Sequence, residues 1–146
     1  AGGEMSEQEL RAVINEAADL NGISDDPEIR ERFINVWSQM SNHESGHNPN
    51  AANGWDSNAV GEIWEDGYPA QSSRGAWQTI PDTFANNHVA GTSTSIYDPL
   101  ASAAASIRYT MQRYDVGPNG ENLDAFAAAR GIDPDSGEMV GGYVGY

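Results

Sequence analysis

Three strong helix starts, each followed by apolar residues at helical spacing, constrain the fold of this chain most. Ser6 and Glu9 have the spacing of a capping box. Asp26 and Asp98 are acidic N-cap candidates, and each is followed directly by proline, which favours the first helical position. The apolar residues behind all three starts recur every three or four positions, as in a helix that buries one face. No segment shows the alternation of a β-strand, so the sequence predicts a mostly α protein.

The rest of the chain predicts loops and short helices around this helical frame. Residues 46–74 are rich in Asn, Gly, Asp and Ser, which favour turns. Short helices are expected within 80–87 and 121–130. At 146 residues, the chain 1–146 is the size of a single domain. Residues 1–5 and 136–146 are expected to be loose ends.

Charge and composition exclude several classes of partner. The net charge is −15, and all seven basic residues are arginine. Such an acidic chain is not expected to bind nucleic acid, because phosphate binding requires a basic surface. No apolar run reaches the roughly 20 residues of a membrane-spanning helix. With no cysteine, disulfides and thiol chemistry are also excluded.

The stretch HESGH, residues 43–47, fits the H-E-x-x-H signature of helical zinc peptidases. That site needs both histidines on one helical face, with a third ligand downstream. Here His47 is followed by Asn and then Pro49, and residues before proline resist the helical conformation. His47 is therefore not expected to lie one turn beyond His43. The zinc peptidase remains a remote alternative, with Glu62 or Glu65 as the third ligand.

The same stretch contains a glutamate that continues an apolar helical face. Phe33, Trp37, Met40 and Glu44 follow one another at spacings of four, three and four residues. A carboxyl group in that position is desolvated, which raises its pKa and keeps it protonated near neutral pH. This is the state that a general acid requires. The alternative is a glutamate that frays into solvent at the end of the helix.

Three blocks in order, ESGHNPNAAN, GAWQTIPDTF and IYDPLASAAASIRYTMQRY, resemble the soluble lytic transglycosylase domain of the lysozyme-like superfamily. The resemblance covers roughly residues 29–115. Its closest likeness is to the domains of phage tail tape-measure proteins, phage lysins and actinobacterial cell-wall proteins. It implies a lysozyme-like fold of the goose-type lysozyme kind, with a substrate cleft and long loops.

The resemblance also implies roles for individual residues. Glu44 would be the sole catalytic acid and base, and Ser45 would support its carboxyl group or the adjacent loop. Gln78 would line the cleft beside the scissile bond, with Trp77 as an apolar wall. Tyr109 matches a family tyrosine that mainly serves packing, and is a candidate for substrate contact.

The chain departs from the family pattern in three places. Asn53 stands where the family usually has a serine that helps the acetamido group of the sugar. The tyrosine that contacts the catalytic glutamate has no clean match, since Phe126 or Ala128 occupies its expected position. The loop 61–74 is longer than usual, and Trp64 within it is a candidate for stacking on sugar. Other aromatic candidates for stacking are Trp55 and Tyr68.

The implied substrate is peptidoglycan, cut between N-acetylmuramic acid and N-acetylglucosamine with formation of a 1,6-anhydro sugar. This chemistry needs no metal and no cofactor. The resemblance places the activity at the bacterial cell wall, in a secreted or periplasmic protein or in a phage virion or lysin. We expect a monomeric domain of a larger protein.

Two alternatives keep the fold but change the function. A hydrolytic muramidase would need a second carboxylate to activate water or trap the sugar. The candidates for that carboxylate are Asp56, Glu62, Glu65 and Asp66. A wall-binding domain without turnover is the other alternative, and the presence of Glu44 beside Ser45 argues against it.

Overall fold

The computed structural model describes residues 3–54 and 59–146, so that Trp55 and Asp56 lie outside the described residues. Within those ranges the protein is mostly helical, as predicted. A two-stranded antiparallel sheet is its only regular β structure there. The elements in chain order are α1 Glu7–Leu20, α2 Pro27–Ser45, β1 Ala52–Asn53, β2 Ser73–Arg74, α3 Pro81–Asn86, α4 Pro99–Arg113 and α5 Leu123–Arg130.

All three predicted helix starts are confirmed by their capping contacts. The backbone N–H of Glu9 donates to Ser6 Oγ at 3.1 Å, and the Glu9 carboxylate accepts from the backbone N–H of Ser6. Asp26 and Asp98 accept from backbone N–H groups in the first turns of α2 and α4. In the described parts of the chain, no helix is long and apolar enough to cross a bilayer.

The core is built around the middle of α2, whose apolar face is fully buried. The Trp37 ring stacks between Phe33 and Phe126, with ring centroids 5.7 and 5.6 Å away. Its indole Nε1 donates to Ser106 Oγ on α4 at 3.0 Å. The buried residues of α4 are mostly alanine and serine, which lets α1 and α4 approach closely. This packing fixes the middle of α2 in the core.

The short sheet was not predicted, because strands of two residues are too short to show alternation. β1 pairs with β2, with Ala52 opposite Arg74 and Asn53 opposite Ser73. Between the two strands, residues 60–71 form a hairpin, which we call the 60–71 hairpin. Its backbone hydrogen bonds include Gln71 N–H to Val60 O, at 2.8 Å.

The prediction that residues 136–146 form a loose end is wrong. The Tyr146 hydroxyl lies 2.5 Å from Ser106 Oγ, and its ring packs edge-on against Tyr109 and Phe126. Arg130 Nη1 donates to the Gly145 carbonyl at 2.6 Å. Glycines are common in this segment, as is typical of a loose end, but its tyrosines provide apolar surface and hydroxyl groups that anchor it to α4 and α5.

The N-terminal end is also more anchored than expected. Met5 packs against the core, and its backbone N–H donates to the His47 carbonyl at 2.8 Å. Residues 3 and 4 are exposed. Within the expected loose end 1–5, Met5 is therefore anchored to the core.

Candidate active site

Glu44 lies in the last turn of α2 and faces a cavity of about 410 Å³. Its side chain is partly buried, and burial raises the pKa of its carboxyl group, as the sequence pattern predicted. Helix α2 stops directly afterwards, because Gly46 adopts the left-handed conformation. The residues that line the cavity are Glu44, Ser73, Gln78, Thr79, Ile80, Thr83, Tyr109, Gly145 and Tyr146.

The hydroxyl of Tyr143 contacts the carboxyl group of Glu44, and the sequence analysis did not identify this tyrosine. Its Oη donates to Glu44 Oε2 at 2.5 Å, and its ring stacks on His43 with centroids 4.9 Å apart. A tyrosine in this role was expected at Phe126 or Ala128, on α5. It comes instead from the C-terminal segment, and the pair of tyrosines in GGYVGY was the only signal for it.

Three influences of different sign act on the Glu44 carboxyl group. Burial raises its pKa most, while the hydrogen bond from Tyr143 and the positive charge of Arg130 lower it. Arg130 is itself nearly buried, with its guanidinium against the rings of Tyr114 and Phe126. The net pKa of Glu44 is raised, so the cavity favours the protonated acid and still stabilises the carboxylate by specific contacts.

Ser45 ties the end of α2 to the loop that forms the opposite side of the site. Its Oγ donates to the Ala76 carbonyl at 2.7 Å and accepts from the backbone N–H of Asn48 at 3.1 Å. Gln78 lines the cavity, and its Nε2 donates to the carbonyls of Gly75 and Ala51 at 2.8 and 3.1 Å. Both side chains thus hold backbone segments around Glu44.

Trp77 does not form a wall of the cleft. It is fully buried, and its Nε1 donates to the Trp37 carbonyl at 3.0 Å. The indole fills the core against α2, and its neighbour Gln78, whose φ is +53°, faces the cavity instead. The expectation that Trp77 contacts substrate is therefore wrong.

The other three candidate substrate residues lie at different places. Tyr109 lines the cavity and packs edge-on against Tyr146. Asn53 lies in β1, opposite Ser73 of the cavity wall, but does not itself line the cavity. Trp64 lies on the 60–71 hairpin, outside the cavity lining.

The acidic residues of the hairpin do not form a second carboxylate in the cavity. Asp66 accepts from Arg74 Nε and Nη2 at 2.6 and 3.0 Å and from the Tyr97 hydroxyl. The hydrogen bonds from Arg74 hold its pKa well below the usual range. Glu62 and Glu65 are exposed on the hairpin. Among the residues that the structure describes, Glu44 is the only carboxylate in the cavity lining.

The two histidines of HESGH do not share a helical face. His47 follows the end of α2 with φ +63°, and its Nδ1 lies 3.2 Å from Ser41 Oγ. Burial lowers the pKa of His47. His43 stacks on Tyr143. In residues 3–54 and 59–146, no three His, Asp or Glu side chains converge as metal ligands.

No protein-family model matches the sequence, and no solved structure matches it. The uncharacterized protein YqbO of Bacillus subtilis strain 168 is 45% identical over 75 residues. The match covers 51% of this chain but 4% of YqbO, so the chain spans a small part of that protein. The name of YqbO assigns it no activity.

Proposed function

We propose that this protein is a peptidoglycan lytic transglycosylase with a lysozyme-like fold, in which Glu44 is the single acid and base. The observation that carries the proposal is the carboxyl group of Glu44, desolvated and without a second carboxylate in the described lining of its cavity. The three ordered sequence blocks support the choice of glycan substrate.

In the first step, protonated Glu44 donates its proton to the glycosidic oxygen between N-acetylmuramic acid and N-acetylglucosamine. The bond from the muramic acid anomeric carbon to that oxygen breaks, and the departing sugar leaves as an alcohol. The acetamido group of the substrate stabilises the oxocarbenium-like centre, as in substrate-assisted glycosidases. Tyr143 and Arg130 stabilise the Glu44 carboxylate that has formed, through a hydrogen bond and a positive charge.

In the second step, the Glu44 carboxylate takes the proton of the muramic acid 6-hydroxyl group. The 6-oxygen attacks the anomeric carbon, which closes the 1,6-anhydro ring and returns Glu44 to its protonated form. No water is consumed, so no second carboxylate is required. A reaction that needs one carboxylate agrees with the cavity lining, in which Glu44 is the only carboxylate among the described residues.

We place this activity at the bacterial cell wall, in a secreted or periplasmic protein or in a phage virion or lysin. Glycan strands are the proposed partner, and the chain is proposed to act as a monomeric module of a longer protein. The short match within the much longer YqbO supports the modular arrangement.

The proposal is tested by mass spectrometry of fragments released from purified peptidoglycan. The wild type should release 1,6-anhydro muropeptides, and Glu44→Gln should lose at least about 100-fold in rate, because general acid catalysis contributes that much or more. Glu16→Gln, which neutralises an exposed carboxylate on α1 away from the cavity and the hairpin, is the matched control and should retain activity.

Other products would reject the proposal in distinct ways. Reducing-end muramic acid would indicate hydrolysis and direct attention to Asp56. Binding to the wall without any release would indicate a wall-binding domain. Peptide cleavage that is lost on adding a chelator would indicate the zinc peptidase.

A further inference from the structure

The 60–71 hairpin is anchored by hydrogen bonds from a buried side chain although residues 60–67 are exposed. Arg74, at its base, is fully buried and donates to the carboxylate of Asp66 and to backbone carbonyls. These carbonyl acceptors are Tyr68, Pro69, Ala70 and Ser72, at 3.0 to 3.2 Å. One guanidinium group therefore fixes the returning half of the hairpin from inside.

The anchored hairpin presents apolar side chains to solvent. Val60, Ile63 and Trp64 are 58%, 65% and 41% exposed. The Arg74 guanidinium lies 4.7 Å from the centre of the Trp64 ring and covers one face. Since Arg74 is buried, the exposed area of the ring lies at its edge and on the opposite face. Exposed apolar patches on ordered elements commonly mark binding sites.

The hairpin is continuous with the cavity of Glu44. Its last residue, Gln71, lies two positions before Ser73, which lines the cavity. Arg74 forms a bridge with Thr79, another lining residue. Strand β2 therefore joins the base of the hairpin directly to the wall of the cavity.

We infer that the 60–71 hairpin is a distal subsite for the N-acetylated pyranose rings of the same glycan strand. The open face of Trp64 stacks on a sugar ring, and the carboxylates of Glu62 and Glu65 accept hydrogen bonds from hydroxyl or amide N–H groups. This inference rests on the proposed function. An anionic membrane or nucleic acid is disfavoured as ligand, because the hairpin carries three acids and the chain has a net charge of −15.

The test measures binding to peptide-free glycan strands from purified peptidoglycan, in a Glu44→Gln background that prevents cleavage. Trp64→Leu keeps an apolar cover over Arg74 but removes the aromatic face. We expect it to weaken binding roughly fivefold, the size of one lost aromatic contact. Trp64→Phe should restore part of the affinity. The control is Leu20→Ala on α1, where Leu20 is exposed to a similar 44%.

Equal binding by Trp64→Leu and its parent, with unfolding midpoints unchanged, would overturn the subsite and leave the proposed function standing. Weaker binding by Leu20→Ala to the same degree would also overturn it, because the effect would then not belong to the hairpin. If the Glu44→Gln parent does not bind the strands and the wild type does not cut them, both proposals fall together.

Discussion

At the scale of single residues, Glu44 is a compromise between stability and function. A carboxyl group whose pKa is raised on folding binds its proton more tightly in the native state than in the unfolded chain. Its contribution to stability is therefore fully present below the unfolded pKa and is lost as the pH rises through the folded pKa. At neutral pH the desolvated carboxyl group of Glu44 therefore lowers the stability of the native state.

Glu44→Gln is accordingly expected to raise the melting temperature at pH 7 to 8, because a neutral amide carries no penalty for burying charge. The increase should vanish below about pH 4, where the carboxyl group is protonated in both states. Thermal unfolding followed by circular dichroism across this pH range checks the prediction. An increase of the same size at all pH values would contradict the pKa argument, and Glu62→Gln provides the exposed control.

Tyr143→Phe should move the pH dependence of cleavage. The hydroxyl of Tyr143 lowers the pKa of Glu44, so its removal raises that pKa further. Since the acid must be protonated to act, the alkaline limb of kcat/KM is expected to shift to higher pH. The rate at the optimum should fall, because the carboxyl group loses a positioning contact. A pH–rate profile measures both effects, with Tyr68→Phe as the control. A limb that stays in place would show that Tyr143 does not control the protonation of Glu44.

At the scale of elements, local sequence signals predicted the helices well. Ser6, Asp26 and Asp98 act within a few residues of themselves, so their capping is visible in the sequence. The partial burial of Glu44 was predicted from the spacing of the apolar residues along α2. Trp77 was misplaced because the sequence does not show which side of the 75–78 turn faces the core.

Elements that depend on long-range contacts escaped prediction. Tyr143 reaches Glu44 across 99 residues of sequence, and Tyr146 reaches Ser106 across 40. The hairpin depends on Tyr97 as well as Arg74 for its anchoring. No local pattern encodes such pairings, and glycine-rich composition pointed in the opposite direction.

Asp66→Asn tests whether the ion pair between Asp66 and Arg74 anchors the 60–71 hairpin. It leaves the buried Arg74 guanidinium without its anionic partner, and we expect a loss of about 2 kcal/mol in the free energy of unfolding. Because the pKa of Asp66 is lowered on folding, its stabilisation is present above the unfolded pKa and is lost as the pH falls through the folded pKa.

The stability difference between wild type and Asp66→Asn, measured by urea unfolding, should therefore shrink as the pH falls below about 4. Glu65→Gln, an exposed acid on the same hairpin, should change little at any pH. A constant difference from pH 7 to pH 3 would contradict the assignment of the effect to the ion pair.

At the scale of the whole molecule, the dominant property is the net charge of −15. Peptidoglycan carries carboxylates on its peptide stems, so the protein and its proposed substrate repel each other at long range.

The screening length falls from about 30 Å at 0.01 M salt to about 8 Å at 0.15 M. Binding of Glu44→Gln to whole peptidoglycan is therefore expected to strengthen over this range. Binding to peptide-free glycan strands, the control, should depend less on salt. Weaker binding to whole peptidoglycan at higher salt would contradict the proposed repulsion between the acidic protein and peptidoglycan.

The central claim is that one carboxyl group cuts the glycan strand without using water. Cleavage of purified peptidoglycan in water enriched in oxygen-18 tests it most directly. We predict 1,6-anhydro muropeptides that contain no label at the anomeric carbon, formed at least about 100-fold more slowly by Glu44→Gln. Reducing-end sugars with oxygen-18 at the anomeric carbon would show that water is the nucleophile and would contradict the claim.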